Sequence, residues 1–223
     1  MRIDPSKAYR LLSPRIVVLL ATANSKHGMN AIPIDFIIPV NYLPPIIMVA
    51  IQQGGQTYRN IKESGEFVVN IMSKKYLNEV MRCAKRYQEG INKIQQVGLH
   101  HFSSQFVRAP RIREAKAWLE CKLVDEIVFK DHVAIFAEIV VAEVSDEIVT
   151  NGEIDYSRIN PILHITKDYS IEFRATKKKK IKNSKRLKLP LFFSFFLFFF
   201  PVFSFIPSII KLFGFHFFTY MSM

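Results

Sequence analysis

Residues 56 to 72 read QTYRNIKESGEFVVNIM, and the fold turns on how this stretch is divided. Gln56 to Ser64 has the length and polarity of a short helix, with Gly65 as its stop, because glycine takes the left-handed backbone of a helix end at no steric cost. Glu66 to Met72 (EFVVNIM) follows at once as a strand. Upstream, Ile16 to Ala23 (IVVLLATA) is a continuous apolar run of strand length. Ala31 to Val40 (AIPIDFIIPV) and Ile46 to Ile51 (IIMVAI) come next, separated by Asn41-Tyr42-Leu43-Pro44-Pro45. These three are expected to be neighbouring strands. Downstream, helical spacing is expected over Lys74 to Tyr87 and Ile91 to Val97. Ala117 to Phe129 and His132 to Val144 then form a hairpin across Lys130-Asp131, and Pro161 to Ile165 is a last short strand. Six or more strands with helices between them, and no regular strand-helix alternation, predict a mainly β chain with helical insertions, built as a β-barrel. Gly54-Gly55 lacks GxGxxG spacing, which disfavours a Rossmann unit.

Charge separates the body from a tail. The chain of 223 residues carries +12, but ten basic and no acidic residues lie from Arg174 onward, which leaves +2 for Met1 to Phe173. A body so near neutrality lacks the basic face of a nucleic-acid binder, and no nucleic-acid partner is expected. Residues 176–188 form a basic linker. Within residues 189–223, Leu189 to Ile210 is an uncharged stretch of 22 residues holding nine of the 20 Phe. It is long enough to cross a hydrocarbon core of ~30 Å as a helix, and the preceding lysines are the cytoplasmic flank such a span would have. Pro201 and Pro207 inside the stretch argue against a span, and a Lys-then-Phe composition is also what reading past a natural stop would give. Both readings, membrane anchor and non-native extension, stand at this point. Cys83 and Cys121 show no CxxC spacing and are read as packing residues of an intracellular chain. The start, Met1-Arg2-Ile3-Asp4-Pro5, has no apolar leader region.

Within the body, Gly28-Met29-Asn30-Ala31 is followed by Ile34-Asp35-Phe36-Ile37-Ile38-Pro39-Val40 running to Pro44-Pro45. Thr57-Tyr58-Arg59-Asn60-Ile61 leads into Glu63-Ser64-Gly65-Glu66-Phe67-Val68-Val69-Asn70. Gly90-Ile91-Asn92-Lys93-Ile94, Leu119-Glu120-Cys121 and Pro161-Ile162-Leu163-His164 continue the series. Together these resemble the flavin reductase-like, FMN-binding split-barrel family, which includes flavoredoxins and archaeal ferric reductases. The likeness spans about residues 9 to 172, within a domain drawn at 1–175. It implies a Greek-key split β-barrel that binds FMN in preference to FAD and takes electrons from NADH or NADPH. The acceptor would be free flavin, ferric iron or a protein. It also implies a homodimer, in the cytoplasm or tethered to the cytoplasmic face of the membrane by the tail. An electron carrier of the flavoredoxin kind and a membrane-tethered, non-catalytic ligand-binding barrel are the alternatives. Asn92 and Asp35 depart from the family pattern, which has Asp and commonly Ser or Thr at those places.

The resemblance implies cofactor contacts at Asn30, Ala31, Asp35, Phe36, Ile37, Thr57, Arg59, Asn60, Lys93 and His164. The residue chemistry agrees for several. Thr57 and Arg59 near a helix N-terminus suit a phosphate, and Lys93 adds a point charge; Thr57 also reads as a helix N-cap. Asn30 suits a ring edge, or it shapes the turn. Asp35, Phe36 and Ile37 would offer backbone groups, and His164 is either a donor to flavin or substrate or a structural histidine. His100-His101 lacks a third ligand at metal spacing, no Ser-His-Asp or paired-carboxylate arrangement is present, and no catalytic side chain is assigned.

Overall fold

The structure is a computed structural model, and it describes residues 2–172 apart from 27, 89, 167 and 168. The linker and tail expected over 176–188 and 189–223 lie outside the described residues. Among the described residues no helix is long and apolar enough to cross a membrane.

Thirteen strands and three α-helices are present among the described residues. In chain order the first are β1 (Arg15–Asn24), β2 (Gly28–Ile34), β3 (Ile37–Asn41), β4 (Ile46–Gln52), α1 (Gln56–Ser64) and β5 (Glu66–Met72). Next come α2 (Leu77–Cys83), α3 (Lys93–Gln96), β6 (His101–Phe102) and β7 (Arg111–Ile112). The rest are β8 (Ala115–Val128), β9 (His132–Val144), β10 (Val149–Thr150), β11 (Glu153–Ile154), β12 (Ile162–Thr166) and β13 (Tyr169–Glu172). The main sheet runs β13-β12-β1-β5-β8-β9-β4-β3, with β2 branching from β1. It is the mainly β, split arrangement expected. It is not the closed barrel that strand counting alone suggests, because no ladder among the described residues joins β13 to β3.

The apolar runs are explained by burial on both faces. Along β1, Leu19 and Ala21 enter one core with Val68, Val80, Ile94 and Trp118. Val18 and Leu20 enter another with Ile51, Ile61, Phe67, Val69 and Ile135. Period-2 alternation is therefore present in space but hidden in the sequence.

Several expectations are corrected. Ala31 to Val40 is two strands. Residues up to Ile34 pair with β1, whereas Ile37 onward pairs with β4, so the chain changes partners at Asp35-Phe36, where the Phe36 carbonyl accepts from Ala50 N at 2.9 Å. The strand at 46–52 accordingly lies beside β3 and β9, not beside β1. The helix expected over 74–87 is a 3₁₀ turn at Lys74–Tyr76 and then α2, which ends at Cys83, where the Lys93 ammonium takes the Cys83 carbonyl (3.2 Å). The helix at 91–97 shortens to Lys93–Gln96, capped by the Asn92 side chain. β13 has no counterpart in the sequence reading. The Gly65 stop holds: its φ is 69° and its N–H donates to the Ile61 carbonyl at 2.7 Å.

Candidate functional site

The turn after β4 and the start of α1 form one wall of a cavity of about 410 Å³. Gln52, Gln53, Gly54, Gly55, Gln56, Thr57 and Arg59 line it, facing Asn30 and Ile32 of β2 and the segment Ala84 to Tyr87 with Lys93. Gly54 has φ 77°, a left-handed turn that a side chain would strain. Gly55 is the N-cap of α1 and offers no side-chain oxygen, so the N–H groups of the first helical turn receive no such cap and point a positive dipole end at this wall. Thr57 is therefore not the N-cap. It is the second helical residue, and its Oγ1 accepts from Asn30 Nδ2 at 2.7 Å.

Two buried groups in this cavity are under-satisfied. Asn30 is fully buried, and its Oδ1 has no hydrogen-bond partner among the described residues. Lys93 is 6% exposed; its ammonium donates to the Cys83 carbonyl at 3.2 Å and lies 5.6 Å from the Tyr87 ring centre. No described carboxylate pairs with it, and burial pulls its pKa below the usual lysine value. Arg59 reaches back to the Gly54 carbonyl at 2.8 Å, over the glycine turn. With Lys85 and Arg86 at the rim, four cations and no described carboxylate line the cavity. That donor set fits an anion such as a phosphate monoester.

A second cavity of about 320 Å³ shares Ile32, Ile51, Gln52 and Ala84 with the first, so the two form one groove. Its remaining walls are Pro33, Ile34, Asp35, Phe36, Ala50 and His132. Phe36 stacks 6.0 Å from the His132 ring and edge-on to Tyr9 at 6.1 Å. A groove cationic at one end and lined at the other by apolar side chains interspersed with Asp35, Gln52 and His132 fits a phosphorylated ligand with a planar ring, and FMN has that polarity.

The structure brings Asn30, Thr57, Arg59 and Lys93 into the cationic end, and Asp35 and Phe36 into the apolar end. Four expected contacts line neither cavity. Ala31 is packed in the core, and Ile37 lies against the second core. Asn60 is buried behind α1, where its amide donates to Thr22 Oγ1 (3.0 Å) and the Gly28 carbonyl (3.4 Å), fastening the helix to β1 and β2. His164 Nδ1 donates to Asp35 Oδ2 at 2.6 Å, behind the groove wall. The sequence reading missed Gln53, Lys85, Arg86, Tyr87 and His132. Their signals were a glycine pair before a helix, a basic pair beside an aromatic, and a histidine directly after a hairpin turn.

The remaining described histidines, His100 and His101, serve locally. His100 pairs with Glu114 at 2.7 Å and His101 lies 3.1 Å from Asn92 Nδ2, and no group of three metal-ligating side chains converges among the described residues. Both cysteines are buried, and desolvation pushes the Cys83 thiol up to about 11.

Comparison with known proteins points the same way. A family model described as "Flavin reductase like domain" matches residues 10–171. An uncharacterized protein of Aquifex aeolicus (strain VF5) is 29% identical over 177 residues, which is 77% of this chain and 90% of that protein. Among solved structures, nitrilotriacetate monooxygenase component B from Bacillus cereus shares the fold with a TM-score of 0.71 at 23% identity, covering 79% of this chain and 96% of that one. Flavoredoxin from Methanosarcina acetivorans does so at 0.69 and 24% identity, over 82% and 97% of the two chains. With a match that takes in both ends of the groove, the chain belongs to the flavin reductase-like family of oxidoreductases.

Proposed function

We propose that this protein is an FMN-dependent oxidoreductase that accepts electrons from NADH or NADPH and passes them to free flavin, ferric iron or a protein acceptor. The observation that carries the reading is the polarity of the groove. Buried Lys93, Arg59 and the start of α1 converge where a phosphate would sit, and an open pocket walled by Ile32, Ile51 and Phe36 continues from them. Bound flavin supplies the redox chemistry between hydride donor and acceptor. The chain's residues bind and orient. The first-turn N–H groups of α1, with Thr57, Arg59 and Lys93, hold the phosphate, and the unpaired end of the Asn30 amide meets a polar group of the ligand. Ile32, Ile51 and Phe36 form a slab against the ring and keep water from it.

In this reading the protein is a homodimer. β3 is an edge strand that exposes Ile38 and Val40, and the turn beyond it leaves Tyr42 88% and Leu43 89% exposed, an apolar edge suited to a second copy. Residues 176–188 and 189–223 link the body to a membrane and anchor it at the cytoplasmic face. Flotation of the full chain with lipid vesicles tests this: co-flotation is expected, and a full chain that stays behind contradicts it.

The main test is the absorption spectrum of the purified chain with FMN, before and after NADH is added without oxygen. Bound-flavin bands that bleach with NADH are expected. Bands that bleach only through a donor protein identify an electron carrier, and a chain that ignores FMN contradicts the proposal.

A further inference from the structure

Asp35 lines the apolar end of the groove at the point where the chain leaves β1 for β4. Its two oxygens differ. Oδ2 takes all the described hydrogen bonds: from Arg15 Nε at 3.0 Å, from Arg15 Nη2 at 2.8 Å and from His164 Nδ1 at 2.6 Å. Oδ1 has no partner among the described residues, and the side chain is 25% exposed. The tether is itself clamped, because Arg15 Nη1 donates to the Tyr9 carbonyl at 3.0 Å and the guanidinium lies 5.3 Å from the Phe36 ring centre. Burial acts to raise the Asp35 pKa, but the His164 and Arg15 contacts outweigh it and hold the carboxyl below its usual value. The result is one oriented carboxylate, ion-paired through Oδ2 to Arg15, in a wall otherwise made of Ile32, Pro33, Ile34, Phe36, Ala50, Ile51 and Ala84, with Gln52 and His132 as its other polar members. An oxygen of this kind recognises positive charge or an N–H donor.

We propose that Asp35 contacts the nicotinamide ring of the electron donor and favours its oxidised, positively charged form. The inference rests on the flavin reading above. When a dihydronicotinamide reacts, its C4–H bond breaks, the hydrogen leaves with both bonding electrons for the flavin, and the nicotinamide ring is left as a pyridinium cation. A carboxylate already oriented toward that ring stabilises the positive charge as it develops, and it interacts far less with the neutral reduced ring. The same fixed charge makes NAD⁺ bind more tightly than a reduced nicotinamide.

The full chain loaded with FMN is titrated by calorimetry with NAD⁺ and with 1,4,5,6-tetrahydro-NAD, a neutral reduced ring that transfers no hydride. NAD⁺ is expected to bind at least about tenfold more tightly. In Asp35→Asn, whose amide oxygen still accepts from Arg15, the two ligands converge to within about twofold, and Asp35→Ser gives the same convergence. Because each ratio compares two ligands on one variant, a general loosening of the site cancels. No preference in the wild type, or a preference unchanged in a folded variant, overturns the inference while leaving the flavin reading intact. Failure of the wild type to take up FMN overturns both.

Discussion

Two buried cations in this protein have opposite surroundings. Arg111 is fully enclosed. Its Nε donates to Glu120 at 2.8 Å, its Nη1 donates to Glu143 at 2.7 Å, and its Nη2, though without a well-angled hydrogen bond, lies 2.7 Å from Glu120. Glu120 also accepts the Gln105 and Phe106 N–H groups (2.8 and 2.7 Å), so this cluster closes the 103–110 loop over the sheet. Lys93 is almost as deeply buried, yet it has one backbone carbonyl, one aromatic ring and no described carboxylate. A buried charge that the fold neutralises is a structural element. A buried charge left short of partners at a cavity wall, beside Asn30 Oδ1, which has no partner among the described residues, is a place for a ligand's charge.

The contrast predicts different failures. Removing a partner at the closed cluster is the larger: Glu120→Ala leaves buried Arg111 with Glu143 alone and orphans the Gln105 and Phe106 N–H groups, and is expected to cost about 3–5 kcal/mol of stability, measured by denaturant unfolding. A change below about 1 kcal/mol would put the cluster in exchange with solvent. At the open site the loss is one of affinity. Arg59→Ala combined with Lys93→Ala is expected to weaken FMN by about 2 kcal/mol or more, on the scale of charge-assisted hydrogen bonds. Lys93→Met alone is expected to leave the unligated protein as stable as before or more so, because a desolvated charge is gone. Unchanged FMN affinity in the double variant would remove the phosphate assignment. Asn30→Ala is the smaller step, about 1 kcal/mol in FMN affinity by isothermal titration.

The subtlest effect is in pH. Because burial lowers the Lys93 pKa in the folded protein below 10.5, the folded state loses that proton before the unfolded chain does. In the interval between the two values the unfolded state binds more protons, so stability of the unligated protein gains as pH rises. FMN binding moves the other way across the same interval, because the ammonium charge is lost. Riboflavin, which has no phosphate, is expected to show no such decline. Parallel pH profiles for the two ligands would contradict a phosphate contact at Lys93.

Much of this architecture is legible in local sequence. The Gly65 stop, the EFVVNIM strand and the Lys130-Asp131 hairpin depend on nearest-neighbour chemistry, and they appear where that chemistry puts them. The break at Asp35-Phe36 is not legible, because AIPIDFIIPV is apolar on both sides and only the change of partner from β1 to β4 divides it. The site follows the same rule. Thr57 and Arg59 could be read from their place at a helix start. Lys85, Arg86, Tyr87 and His132 belong to segments far away in sequence, and only the fold carries them to the groove. His164 shows the converse. As a lone histidine in a strand it reads as a ligand contact or a structural histidine, and its contact with Asp35, beside Arg15 opposite it on the β1–β12 ladder, makes it part of the support of the groove wall.

The central claim is that the cationic end of the groove holds a phosphate while the apolar end holds the ring. Fluorescence titration of the full chain with FMN and with riboflavin tests it directly, since the two ligands differ only in the phosphate. The account predicts FMN binding about a hundredfold more tightly than riboflavin, as expected for a phosphate held by two or more charge-assisted hydrogen bonds. Equal affinities, or no binding of either, would contradict it.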